Sequence, residues 1–295
     1  MLEWKDMGIK AVELLLPYCS KYNDSISDYT FTSLLCWGEG MQIKYALYDG
    51  AVLLKYKYYD GLEYALMPLG YKDLGKIVTA LQKYFELNNA ELRFALLSRR
   101  VAEEIENIFP NRFNLKPIEE QFDYIYTTRN FIEAQGSCNR TNRAKINRIL
   151  RRYKVEYKKY TREYKNDILK FHRNWAQKRV SSYKYSFFAN AEMLGLEKIM
   201  DYYDLIPTRG GVLLLDGHFA GFGFGDRLNE KMCTLHNVKT THDVNGSLFL
   251  FIRYFLANEY PDAEYMNFED DMGLEGLRIA KKRLNFWGKI EKYGS

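Results

Sequence analysis

The chain has 295 residues, 47% of them hydrophobic and 27% charged, with a formal net charge of +5 at pH 7. That apolar content suffices for one large domain or two modest lobes, and no apolar run approaches the ~20 residues of a bilayer span. The start, Met1-Leu-Glu-Trp-Lys-Asp6, lacks the basic-then-apolar form of a secretory signal, so a cytoplasmic location is expected.

The first patterned segment is Asp28-Tyr-Thr-Phe-Thr-Ser-Leu-Leu-Cys-Trp37. Next, Tyr45 to Leu54 alternates about Asp49-Gly50, a strong short hairpin signal. A strand ending at Pro68, a helix from Lys72 to about Leu87 and a strand from Leu92 to Leu97 are predicted after it. Met67-Pro-Leu-Gly-Tyr-Lys-Asp-Leu-Gly75 contains no G-x-G, so this half is expected to wall a site or dock a partner rather than bind a nucleotide. The periodic pattern breaks near Pro117 to Gln121, which sets two lobes, 1–120 and 121–295.

Arg140 to Lys184 holds sixteen Lys/Arg against three Asp/Glu, leaving the rest of the chain acidic. On a helix, Arg140 and Arg143 lie one turn apart, as do Lys145 and Arg148, and Arg148 with Arg151 and Arg152. Ile146, Ile149 and Leu150 supply its apolar face. Tyr153, Tyr157, Tyr160 and Tyr164 follow, interleaved with Lys154, Lys158, Lys159 and Lys165. Basic side chains neutralise phosphates and aromatic rings stack on unpaired bases, so this block is a candidate nucleic-acid surface. A solvated amphipathic helix has the same pattern.

The hairpin signal recurs in Val212 to Gly221, about Asp216-Gly217. Gly221-Phe-Gly-Phe-Gly225 reads as a strand with Phe222 and Phe224 on one face and glycines on the other. Those glycines permit close approach by a helix or by a ligand such as a pantetheine arm. A strand from Met232 to Val238, a helix from Ser247 to Asn258 and a strand from Ala263 to Phe268 complete the second half. The order hairpin, strand, helix, strand, helix thus occurs twice, as in a duplicated unit. It resembles the GNAT acyltransferase fold, an α/β (α+β) architecture whose mixed sheet splays its central strands to admit the donor. A tandem GNAT-like protein is the expectation.

Between strand and helix stands Val238-Lys-Thr-Thr-His-Asp-Val-Asn-Gly-Ser-Leu248. Asn245, Gly246 and Ser247 form a candidate nest for the pyrophosphate of acyl-CoA, with Ser247 as helix cap and Val238 and Lys239 alongside. A plain capped helix start fits equally. Near the end, Asn267-Phe-Glu-Asp-Asp-Met-Gly-Leu-Glu-Gly-Leu-Arg278 closes a strand with three acids and opens a helix. Glu269, Asp270 and Asp271 are candidates to hold an acceptor ammonium or take its proton. Arg278 and Lys281, one turn apart, are candidates for a donor phosphate or a carboxylate. Substituting Asp271 and Arg278 is expected to abolish transfer with the fold intact; unfolding would make the motif a structural staple. His172, His218, His236 and His242 have no metal-ligand spacing, and Cys19, Cys36, Cys138 and Cys233 form no C-x-x-C pair, so no metal is expected.

Three blocks carry a family resemblance: Asp28 to Trp37, Phe122-Asp-Tyr-Ile-Tyr126, and Glu269-Asp-Asp-Met-Gly-Leu-Glu-Gly-Leu-Arg-Ile-Ala-Lys281. Together they resemble a bacterial family related to the C-terminal catalytic domain of phosphatidylglycerol lysyltransferase, and more distantly the Fem peptidoglycan aminoacyltransferases. The resemblance implies a tandem GNAT fold and transfer of an acyl or aminoacyl group from acyl-CoA or aminoacyl-tRNA. The acceptor is an amine or hydroxyl on a small molecule, lipid or peptide. The lysyltransferase relatives carry a membrane half before this domain; nothing like it stands in this sequence. Two histidines of the family pattern are missing, at Cys138 to Ile146 and at Arg283-Leu-Asn-Phe286, which keeps a non-catalytic binding module or an RNA-binding protein as alternatives.

Overall fold

The computed structural model describes residues 2–177 and 183–295. Lys178 and Arg179 of the basic block lie outside the described residues.

The first half runs β1 (Lys5–Asp6), α1 (Val12–Lys21), α2 (Phe31–Gly38), β2 (Lys44–Tyr48), β3 (Ala51–Lys57), β4 (Glu63–Ala65), α3 (Leu74–Leu87), β5 (Leu97–Ser98), α4 (Arg99–Ile108) and β6 (Lys116–Pro117). The second runs β7 (Asp123–Thr127), α5 (Thr128–Ile132), α6 (Arg140–Arg152), β8 (Val155–Lys159), α7 (Lys165–Gln177), α8 (Tyr183–Asp201), β9 (Arg209–Leu215), β10 (His218–Arg227), β11 (Met232–Thr240), α9 (Ser247–Glu259), β12 (Tyr265–Asn267), α10 (Glu275–Lys282), β13 (Gly288–Ile290) and β14 (Lys292–Gly294). The predicted repeat is present twice: β2–β3, β4, α3, an extended Arg93–Ala95 stretch and α4, then β9–β10, β11, α9, β12 and α10.

Both predicted hairpins form. Asp49 (φ 50°) with Gly50 (φ 78°), and Asp216 (φ 51°) with Gly217 (φ 76°), have the paired positive φ of a type I′ turn. The strand expected at Leu92 to Leu97 is much reduced. Phe94 makes one parallel bridge to Ala65, and Leu96 (φ 56°) then turns the chain out of the sheet. Leu97 and Ser98 pair instead with β14 from the far end of the sequence.

Strands β1 to β4 form an antiparallel sheet. The second sheet has seven strands in the order β13-β7-β12-β11-β10-β9-β8. Its one parallel pair joins Met232–Thr234 of β11 to Tyr265–Asn267 of β12, and beyond Thr234 and Asn267 the two strands part. A small third sheet places β14 between β5 and β6, so the two halves share it. Strand β10 lies between two cores: Phe222 and Phe224 face one, while the glycine side receives α9. A Cβ on Gly223 would meet the Phe251 ring at 2.8 Å, and one on Gly225 would meet the Phe255 ring at 3.1 Å. Helix packing therefore fills the space considered for a pantetheine arm. Helix α9 buries Phe249, Leu250, Phe251, Ile252, Phe255 and Leu256, apolar nearly all round as a central helix must be. Among the described residues, no helix is long and apolar enough to cross a membrane.

Candidate active site

Three segments far apart in sequence bring carboxylates to one ammonium. Asp28 comes from a short turn before α2, Asp123 opens β7, Asp270 follows β12, and Lys292 opens β14. Lys292 Nζ lies 2.7 Å from Asp123 Oδ1 and 3.4 Å from Asp270 Oδ2, and donates to Asp28 Oδ2. The Lys292 and Asp123 side chains are fully buried. A buried ion pair is tolerated only where the remaining lone pairs are satisfied. Here Asp123 Oδ2 accepts from Ser27 N and Oγ at 3.0 Å and from Asn267 Nδ2 at 2.7 Å. Oxygens of Asp28, Asp123 and Asp270 lie within 4.8 Å of one another, close enough to hold a cation, and the Lys292 ammonium is that cation. Burial opposes the Lys292 charge, but Asp123, Asp28 and Asp270 hold its pKa well above the usual lysine value. Burial raises Asp270 to about 7; Lys292 resists the shift, while Asp28 and Asp123 add to it. Burial also raises Asp28.

A second polar group sits where β11 and β12 separate. His236 Nδ1 is 2.6 Å from Glu269 Oε1, and His236 Nε2 is 3.4 Å from Asp226 Oδ2 and 3.3 Å from Thr30 Oγ1. Thr32 Oγ1 donates to Asp226 Oδ1 at 3.0 Å. Burial disfavours the imidazolium, yet Asp226 and Glu269 raise its pKa to about 10, so it is charged at neutral pH.

Both groups border a cavity of ≈140 Å³ between the two halves. Leu34 and Trp37 of α2, Tyr56 and Tyr58 near β3, and Phe188 of α8 form its apolar wall. Asp28, Glu269, Asp270 and Lys281 form one polar end. The Lys281 ammonium donates to the Phe268 carbonyl and to Glu269 O at 3.2 Å. Burial pulls it down to about 8 against the upward pull of Glu269 and Asp270. The other end holds Glu192, Asn237 and Lys239. Glu192 accepts from Lys239 Nζ at 2.6 Å and Asn237 Nδ2 at 3.0 Å, and its other oxygen is 2.9 Å from His172 Nε2. Burial opposes the Glu192 charge, but Lys239 and His172 hold the carboxyl well below the usual range.

Of the acids expected to act, Glu269 and Asp270 border the cavity and Asp271 does not. The Asp271 oxygens accept from Arg278 Nε at 2.9 Å, Arg278 NH2 at 3.0 Å, Tyr124 Oη at 2.8 Å and Gly273 N at 3.0 Å. The bidentate pair ties α10 to the loop before it, and the Tyr124 hydroxyl ties that loop to β7. Arg278 and Lys281 are therefore not a joint phosphate clamp: one is committed to Asp271 and the other is buried against backbone carbonyls.

Val238 and Lys239 line the cavity, with Lys239 turned to Glu192 and over the Trp175 ring at 4.8 Å. Asn245, Gly246 and Ser247 are apart from them, at the start of α9. Ser247 is not the cap. Gly246 (φ 103°) occupies that position, and the Ser247 hydroxyl donates back to Thr241 O at 2.7 Å. Helix α6 packs beside this turn: a Cβ on Gly246 would lie 2.8 Å from Lys145 Cβ. On α6, Arg140, Arg148, Arg151 and Arg152 are exposed, Lys145 is half-buried, and Arg143 donates to Ala134 O and Gly136 O, each at 2.6 Å. Ile146 and Ile149 are buried as expected, but Leu150 is 46% exposed and does not belong to the apolar face. The expected row of stacking tyrosines is not a surface platform. Strand β8 turns Tyr157 inward, where its hydroxyl donates to Glu259 at 3.1 Å, and Tyr160 is buried against Tyr203 and Phe224.

Asp226, His236, Glu192 and Lys292 gave no sequence signal, being isolated letters in strands or helices. Asp28 and Asp123 did have one: they belong to two of the three blocks that carry the family resemblance, and Asp270 belongs to the third. The thiols of Cys19 and Cys233, pushed up to about 12 by burial, are poor nucleophiles.

The family model for the C-terminal domain of phosphatidylglycerol lysyltransferase matches residues 20–285. The chain belongs to that family. No curated protein matches it significantly in sequence. A conserved protein of unknown function from Bacteroides thetaiotaomicron superposes with a TM-score of 0.89 at 22% identity, over 100% of this chain and 99% of its own. The structure of L-PGS from Bacillus licheniformis gives 0.65 at 13% identity, over 98% of this chain and 92% of its own. A tandem GNAT protein from the clavulanic acid biosynthesis pathway gives 0.50 at 9% identity, over 100% and 98%. The lysyltransferase-domain fold of this chain is thus a tandem GNAT-like acyltransferase fold.

Proposed function

We propose that the chain transfers an aminoacyl group from aminoacyl-tRNA to an amine or hydroxyl acceptor, in the cavity between its halves. One observation carries the reading: adjacent carboxylates in unlike surroundings, Glu269 bound to an imidazolium and Asp270 poised near pH 7, at one end of an apolar cavity. Glu269 and Asp28 attract the substrate ammonium, and Trp37, Tyr58 and Phe188 line the cavity that receives it. Asp270 takes the proton from the attacking amine or hydroxyl. The nucleophile forms its new bond to the ester carbonyl carbon, the bond from that carbon to the tRNA ribose oxygen breaks, and this oxygen recovers the proton from Asp270.

The family's name supports an aminoacyl donor, and so do the exposed arginines of α6 beside the start of α9, which suit the phosphates of an acceptor stem. Charged tRNA implies work in the cytoplasm. The acceptor is a small molecule, lipid or peptide.

The test supplies purified protein with tRNA carrying labelled amino acids and with an extract containing all three acceptor classes. Label moving to a new product, and failing to move with Asp270→Asn, is expected. Label that stays on tRNA while an acyl group moves from acyl-CoA would overturn the donor assignment. No transfer from either donor would favour a binding module.

A further inference from the structure

We infer that Lys292 is a positioning residue for the transfer: its ammonium, delivered by β14, holds the Asp270 carboxylate at the cavity as the proton acceptor. The inference rests on the reaction proposed above only in giving Asp270 the role of base.

The geometry is that of a cation site with a built-in cation. Lys292 Nζ reaches Asp28, Asp123 and Asp270, with 2.7 Å to Asp123 and 3.4 Å to Asp270. Asp123, which also accepts from Ser27 and Asn267, anchors the ammonium from below and has no place in the cavity lining. Asp28 and Asp270 do line it. The ammonium therefore stands behind two carboxylates that face substrate. It is held by a third that does not.

A lysine needed only to tie β14 in place would be satisfied by Asp123. At 3.4 Å, the outer edge of a hydrogen bond, the ammonium holds Asp270 mainly through its charge. Other charges also face Asp270: Asp28 from the turn before α2, Asp123 from β7 and Lys281 from α10. Tyr58, next to β3, completes the surroundings. Asp28 and Asp123 oppose ionisation of Asp270, and of the two cations that favour it Lys292 acts more strongly than Lys281. Removing the ammonium should therefore make Asp270 a weaker acid, and removing Asp28 should make it a stronger one.

The experiment titrates Asp270 directly, by carboxyl carbon NMR on aspartate-labelled full-length protein, with Asp270→Asn assigning the signal. Lys292→Met is expected to raise the Asp270 midpoint by about one pH unit or more, and Asp28→Asn to lower it. The acid limb of kcat should follow in the same directions. Lys292→Arg, which keeps the charge, should leave the midpoint nearer wild type than Lys292→Met does. Midpoints unchanged in folded Lys292→Met and Asp28→Asn would overturn the inference and leave Lys292 a structural tie. If Lys292→Met does not fold, Lys292→Gln and Lys292→Arg take its place: a midpoint raised by Gln and not by Arg supports the inference, and no shift with Gln overturns it. Because the titration needs no substrate, absence of transfer in wild type would count against the proposed reaction and not against this role.

Discussion

Nδ1 of His236 lies 2.6 Å from Oε1 of Glu269, and the contact crosses the gap that opens two residues beyond the last paired positions of β11 and β12. In a GNAT-like sheet that gap is where a donor would enter. Here an imidazolium and a carboxylate span it, with Asp226 behind.

This relationship gives a pH dependence with a definite sign. His236 is raised from 6.5 to about 10 by Asp226 and Glu269, which outweigh burial. Its contribution to stability is complete below about pH 6.5 and fades as pH rises through about 10. His236→Gln should cost about 3 kcal/mol near neutral pH by leaving carboxylates without their cation. Urea unfolding of wild type and variant from pH 6 to pH 10.5 checks it. The gap between them should narrow steadily with rising pH; a constant gap would contradict the charged imidazole.

Asp270 trades stability for its position. An acid raised from 3.8 to about 7 stabilises the fold only while protonated, and that contribution is lost as pH rises through about 7. Asp270→Asn should therefore match or exceed wild type in Tm at pH 8, yet transfer about 10²–10⁴-fold more slowly, the range of a general-base deletion. Thermal melts at pH 5 and pH 8 beside a rate assay read both effects.

The neighbouring acid should behave in the opposite way. Asp271 is buried and held below the usual carboxylate range by Arg278 and Tyr124, against the effect of burial. Arg278→Ala should cost roughly 1–3 kcal/mol, less than a fully buried pair because Arg278 is 40% exposed. Transfer per folded molecule should change little. Unfolding curves and active-site-normalised rates separate the two effects, and this reverses the expectation drawn from the letters of the motif.

The outer face of α6 offers a test of the donor surface. Charge reversal at Arg148, Arg151 and Arg152, all exposed, should leave Tm near wild type. It should weaken tRNA binding and flatten the dependence of log K on log salt by roughly 0.7–0.9 for each phosphate left without its cation. Binding measured between 50 and 200 mM salt reports the slope; an unchanged slope would move the tRNA to another face.

Much of the fold was legible because local chemistry dictates it. Asp49-Gly50 and Asp216-Gly217 specify their hairpins almost alone, and the apolar periodicity of Leu74 to Leu87 marks a helix. The strand at Leu92 to Leu97 was overstated because β propensity cannot foresee the left-handed turn at Leu96 or the pairing of Leu97 with β14. At the site, the acid run pointed to a loop that borders the cavity but could not sort its members. Asp270 and Asp271 differ only in which way the chain turns after Glu269 (φ 57°). Lys292, His236 and Glu192 act through partners tens to hundreds of residues away, and a single sequence carries no trace of such pairings. Asp28 and Asp123 were readable only as letters inside segments that resembled a family.

Native mass spectrometry of the full chain with charged tRNA, uncharged tRNA and CoA tests the central claim most directly. A complex with charged tRNA, weaker binding of uncharged tRNA and none of CoA is the expected result. A stable CoA complex without tRNA binding would contradict it.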